Sequence, residues 1–162
     1  MSKLNVQFSE YLDTVEKQYQ DIVAEINEYL VSNGCKYEIK SAQSGFVVSY
    51  IYGNSKRTVA SFVSRKTGMK IHIYPEHLTQ YADLLDTFPQ KMKQEIKKSS
   101  VCKRLINPDD CNPKCIKGYD FIIDNERYKK CRYMAFLPTL NEENNPFIKS
   151  FLQKEISALG GE

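Results

Sequence analysis

The stretch FVVSYIYGNSKRTVASFVSRKTGMKIHIY, residues 46–74, decides the fold. Phe46 to Tyr52, Arg57 to Arg65 and Met69 to Tyr74 are runs rich in β-branched and aromatic residues, which suit a pleated, half-buried surface. Gly53-Asn54 begins one short turn between them and Lys66-Thr67-Gly68 makes the other. Connections this short join antiparallel neighbours. The first two of these runs carry apolar residues on both faces, as central strands do. Upstream, Lys36 to Lys40 alternates, with Tyr37 and Ile39 on one side, and adds a further strand. Residues 36–74 therefore read as an antiparallel meander, which Pro75 ends.

Helical spacing surrounds this sheet. Phe8, Tyr11, Val15, Ile22, Ile26 and Leu30 belong to one apolar stripe at steps of three and four, which predicts a long helix over 8–32 stopped by Asn33-Gly34. Leu78 to Leu85 space a short helix, and Pro89 starts a lysine-rich one, giving helices over 76–99. Residues 107–118 have loop chemistry, with Asn107-Pro108, Asn112-Pro113 and Gly118. Tyr119 to Asp124 and Arg127 to Tyr133 read as a hairpin around Asn125-Glu126. Asn144 or Asn145, with Pro146 in the first turn, opens a last helix over 145–158. The expected fold is α+β and one domain over 1–162: the meander covered by the N- and C-terminal helices, with a cysteine-rich loop and hairpin at 102–137 as a satellite.

Composition bounds the function. With 162 residues, 41% hydrophobic and 27% charged, the chain is ordinary globular material. A net charge of +3 is below the balance of a dedicated nucleic-acid domain, though it allows a local basic patch. No apolar run is long enough for a membrane helix, and Met1 to Glu10 lack the pattern of a signal peptide, so the expected location is the cytoplasm, with no membrane partner. There, clustered thiols read as metal ligands or redox groups before disulfides.

Four of the five cysteines lie in one segment: Cys102, Cys111, Cys115 and Cys131. Cys111 and Cys115 flank Pro113 in a turn, and the hairpin returns Cys131 toward them. If Asp124 pairs with Arg127, Cys131 falls opposite Asp120, on the polar face of the hairpin. Four converging thiolates suit a structural zinc ion. Unligated thiols, and a redox pair of Cys111 with Cys115 in a thiol sensor, are the competing readings.

Basic and aromatic side chains accompany these cysteines. Lys114, Lys117, Arg127, Tyr128, Lys129, Lys130 and Arg132, together with the lysines of 91–98, make residues 91–132 the positive end of the molecule. This supports a non-enzymatic module that binds a protein or nucleic acid through a basic hairpin. A small-molecule binder or enzyme is the alternative, using a Tyr-rich sheet surface lined by Tyr50, Tyr52 and Tyr74. His72 and His77 flank Pro75-Glu76 and read as solvated surface, since no third metal ligand suggests itself. There is no Walker loop, GxGxxG, GxSxG or HExxH, so enzymatic activity has no recognisable constellation behind it.

Residues 45–98, with TVASFVSRKTGMKIHIY at 58–74 and the helices after it, resemble small uncharacterised bacterial domains of the YdhG-like kind. The resemblance implies an α+β fold and a bacterial source. It carries no catalytic motif, and the cysteine segment lies outside it.

Overall fold

The computed structural model describes residues 7–43, 45–53, 56–107, 109 and 118–161. Four strands form one antiparallel sheet in the order β1-β2-β3-β4: β1 (Cys35–Ala42), β2 (Gly45–Tyr52), β3 (Arg57–Arg65) and β4 (Gly68–Ile73). This is the meander expected from residues 36–74. A bulge between Tyr50 and Ile51 shifts the β2–β3 register, so Ser49 faces Ser61 while Ile51 faces Thr58. On β3–β4, Ser61 faces His72. The outer edge of β4 is covered by residues 136–140. Ile73 N–H donates to the Phe136 carbonyl (2.9 Å), Ile71 N–H to that of Pro138 (3.1 Å), and Leu140 N–H to that of Met69 (2.9 Å).

The N-terminal stripe is two helices rather than one, α1 (Phe8–Thr14) and α2 (Lys17–Ser32), with extended backbone at Val15 and Glu16. The β-branched pair Thr14-Val15 is weak helix material. The carbonyls freed at the break are also satisfied: Gln20 Nε2 donates to those of Leu12 (3.2 Å) and Val15 (2.9 Å). The break lets Phe8 and Tyr11 turn onto Tyr37 and Phe46 of the sheet. After Pro75 come two 3-10 turns, Leu78–Gln80 and Ala82–Thr87, where one short α-helix was expected. Then follow α3 (Gln90–Lys98), α4 (Lys103–Ile106), the hairpin strands β5 (Tyr119–Ile123) and β6 (Glu126–Lys130), and α5 (Asn145–Gly160).

One core joins these parts. Val48, Tyr50, Phe62, Ile71 and Ile73 of the sheet meet Ile26 and Leu30 of α2 and Phe151 and Leu152 of α5. Tyr119, Phe121, Ile123 and Phe136 belong to the same cluster, so the hairpin is a second sheet packed into the main core rather than a satellite beside it.

A buried carboxylate ties α5 to the turn after the sheet. Glu155 is fully buried. Its Oε1 accepts from the His77 backbone N–H (3.0 Å) and the Tyr81 hydroxyl (2.6 Å), and its Oε2 is paired with His77 Nδ1 (2.8 Å). His77 is thus a structural partner and not the solvated side chain its position suggested. Removing one member of a buried charged set leaves the others unsatisfied. Glu155→Ala is expected to lower unfolding free energy by ~3 kcal/mol in urea titration. Lys149→Ala, which removes only a surface pair with Glu25, should cost under ~1 kcal/mol.

Candidate functional site

The hairpin register differs from the sequence reading. The central turn residues are Asp124 and Asn125, with φ of 51° and 68°, and Asp120 faces Lys129. A two-residue hairpin turn of this type needs left-handed backbone at both positions. Asp and Asn tolerate it, whereas the expected Asn125-Glu126 would place a glutamate there. The register is displaced by an even number of residues, so the faces are as expected: Tyr119, Phe121 and Ile123 inward, Asp120 and Lys129 outward.

Internal contacts absorb much of the predicted basic surface. Lys130 is only 7% exposed, and its Nζ donates to the carbonyls of Lys97 (2.7 Å) and Ser99 (2.9 Å) at the end of α3. Lys93 is also buried, and it shares Asp124 with Lys97 at 2.9 and 3.1 Å. Those two lysines hold the Asp124 carboxyl below its ordinary range. Arg127 makes a forked pair with Asp120 at 2.8 and 2.6 Å, which lowers that carboxyl as well. The Tyr128 hydroxyl donates to Glu126 while its ring stacks on Phe121. Lys129 Nζ reaches the Leu105 carbonyl at 3.5 Å. Lys114 and Lys117 lie outside the described residues. If Lys130 is a helix-end lock, Lys130→Ala strands two carbonyls and should cost ~2 kcal/mol in chemical denaturation, against under ~1 kcal/mol for Lys129→Ala. Equal costs would contradict that role.

Two of the four segment cysteines are described, and they come together. Val101 pairs with Lys130 as an antiparallel bridge. Cys102 N–H donates to the Lys129 carbonyl (2.9 Å) and Cys131 N–H to that of Ser100 (2.7 Å). Each cysteine follows a bridge residue, so both project to the same side of this short ladder as a diagonal pair. Gly118 N–H donates to Cys102 Sγ at 3.2 Å. A Cβ at position 118 would collide with the Lys130 carbonyl oxygen, so only glycine allows this approach. Cys111 and Cys115 lie outside the described residues. Among the described residues, no three His, Cys, Asp or Glu side chains gather as a metal-binding group. Cys35 is different: it is buried in the core, and burial pushes its thiol up to about 11.

The residues after Cys131 build the most distinctive concavity. Met134 and Ala135 N–H both donate to the Cys131 carbonyl (3.0 Å each), a tight turn that carries Arg132 and Tyr133 over the outer face of the sheet. Beneath them runs a polar row across three strands, Ser49, Ser61 and His72, with Ser49 Oγ 2.9 Å from Ser61 Oγ. The Arg132 guanidinium is paired with Glu76 and lies over the rings of Tyr74 (5.4 Å) and Tyr119 (5.7 Å). Tyr133 meets Tyr74 edge-on. The cavity holds about 520 Å³, and Lys56, Arg57 and Thr58 complete its rim. Of the tyrosines expected to line a sheet-surface site, Tyr74 does so. Tyr50 is on the opposite, core face, with its hydroxyl donating to Asn27 at 2.6 Å. Ser49, Ser61 and Arg57 were not singled out from the sequence, and His72 was read there only as solvated surface, although polar residues inside apolar strand runs were the available signal.

His72 is buried, not solvated. Nδ1 is 3.0 Å from the Tyr74 hydroxyl, and the two rings stack. Nε2 is buried without a well-formed hydrogen bond among the described residues. Burial depresses the imidazole pKa from 6.5 to about 4, reinforced by Arg65 and Arg132 and opposed by the Arg132 backbone. The unfolded chain therefore takes up this proton from about pH 6.5 downward and the folded chain only near pH 4. Stability from this group is full above pH 6.5 and falls with acidification. Between pH 7 and 4.5 the wild type should lose ~2 kcal/mol more than His72→Gln, read from urea midpoints.

No family model matches the chain, and no curated protein or solved structure matches it either. The site therefore rests on its own chemistry. Among the described residues, no helix is long and apolar enough to cross a membrane.

Proposed function

We propose that this protein is a binding module for a small polar molecule, received between the outer face of β2–β4 and the Arg132-Tyr133 turn, with a structural zinc ion bracing the lobe behind that turn. The observation that carries the reading is Arg132. A guanidinium held by Glu76 and stacked on two aromatic rings over a polar concavity is already ordered for recognition. A volume of about 520 Å³ is in the range of small-molecule sites. The basic-hairpin reading, with a protein or nucleic-acid partner, is less well supported. Lys130 is engaged internally, Arg127 is paired and Arg132 faces the concavity, which leaves few cations for phosphates in a row among the described residues of the hairpin.

The zinc part rests on donor chemistry. The diagonal placement of Cys102 and Cys131 implies Cα atoms about 7–8 Å apart, too far for a disulfide without backbone movement. The Gly118 N–H donates to Cys102 Sγ, an outer contact of the kind that orients a metal-binding sulfur. Cys102, Cys131, Cys111 and Cys115 would hold the ion, whose contribution is structural. A reducing, cytoplasmic location goes with this reading.

Two measurements test the proposal. Protein purified without chelator or affinity-column metal should carry one zinc per chain, lost in Cys102→Ser and Cys131→Ser and kept in Cys35→Ser. A metal-free wild-type chain sinks the zinc part. A thermal-shift screen of small polar compounds should yield binders whose effect disappears in Tyr133→Ala, a change at an exposed side chain. A screen without such binders sinks the pocket.

A further inference from the structure

We propose that the free edge of β1 is a self-association surface, where a second copy of this chain adds its own β1 antiparallel about a two-fold axis at Ile39. The product is one continuous sheet shared by two protomers.

The open edge is the first observation. Residues 136–140 cover β4, whereas β1, at the other end of the sheet, pairs only with β2. Gly53 N–H donates to the Gly34 carbonyl (2.9 Å), which sets the alternation of the β1–β2 ladder. By that alternation Lys36, Glu38 and Lys40 bond to β2, and the N–H and C=O groups of Tyr37, Ile39 and Ser41 point away from it. None of the described residues supplies a backbone partner to these outward groups. A row of this kind is a template for another strand.

Charge selects the occupant. Lys36, Glu38 and Lys40 alternate in sign along one face of β1, all three exposed, and Lys40 Nζ already reaches Glu38 at 3.4 Å. Lysines on an edge repel a like strand, but the glutamate between them makes this edge complementary to itself. A foreign strand of a single charge sign would be repelled by part of the row.

The ladder then restricts the register. Outward groups must face outward groups, which leaves two registers that overlap most of β1. Centred on Glu38, the pairing sets Glu38 against its own copy and Lys36 against Lys40, like charges throughout. Centred on Ile39, it sets Glu38 of each copy against Lys40 of the other. These pairs fall at the non-hydrogen-bonded positions of the new ladder, where side chains come closest. On the opposite face Ile39 meets its own copy, diagonal to Tyr37, whose ring is exposed in the single chain.

Sedimentation velocity on the whole chain, from dilute to near-millimolar protein, tests this. One strand pair is a small interface, so the wild type should pass from monomer to dimer as concentration rises. Glu38→Lys and Lys40→Glu, both at exposed side chains, should each stay monomeric over that range, because each sets like charges across the axis. An equal mixture of the two variants should regain the dimer, a result that unfolded variants could not give. Lys36→Glu, at a position that faces Ala42 in this register, should dimerise as the wild type does. A wild type that is monomeric throughout overturns the proposal, as does a mixture that stays monomeric. A dimer that persists in both single variants also overturns it, since the contact then lies on another surface.

Discussion

The pairing of residues 136–140 with the edge of β4 is the constraint on which the molecule's arrangement depends. A bare edge strand offers unpaired N–H and C=O groups, and here the chain itself occupies them. That pairing fixes where the hairpin ends relative to the main sheet. Residues 131–135 must then bridge from β6 to β4 in a few positions, which leaves them no route except over the outer face. Arg132 and Tyr133 are where they are because both ends of a short segment are pinned, one by the Val101–Lys130 bridge and the other by the β4 edge.

The fold also places charge inside in a way that composition conceals. Lys93, Lys130 and Glu155 are all buried, and each is hydrogen-bonded to a defined partner. An unpaired buried charge is prohibitive, whereas one with fixed donors or acceptors is tolerated and restricts the chain to one arrangement. Glu155 ties α5 to the segment after the sheet. Lys130 ties β6 to the end of α3, and Lys93 ties α3 to the hairpin turn. These three locks hold together elements that are distant in sequence and also meet in the apolar core.

This explains what could be read from the sequence. The meander was legible because its turns are short and its runs have strand composition, so local signals and tertiary structure agree. The α1–α2 break was not, because an apolar stripe continues across Val15 and only Gln20, five residues later, shows what satisfies the freed carbonyls. Lys130 looked like a solvated cation because the carbonyls that receive it lie more than thirty residues away. In the candidate pocket, Ser61 lies opposite His72 because the turn is the two residues Lys66-Thr67, with Gly68 already paired to Arg65; the three-residue turn read from the sequence would have set Ile73 there. Ser49 opposite Ser61 does not follow from turn length alone, because the bulge at Tyr50 and Ile51 intervenes. Arg132 was named as a basic hairpin residue, but that it faces the sheet depends on the edge pairing beyond it.

The cysteine lobe and the pocket are therefore parts of one mechanical unit. Cys131 immediately precedes Arg132, and its carbonyl accepts the two N–H groups that close the turn. Its own N–H is held by Ser100, next to the bridge that also positions Cys102. Whatever immobilises the two sulfurs immobilises the root of the turn, and with it the direction of the guanidinium over Tyr74. Binding sites lose affinity when a recognition group must be ordered at the moment of binding. A brace on the cysteines would reduce that cost without touching the bound molecule, so the structural metal proposed for this lobe would bear on recognition as well as on stability.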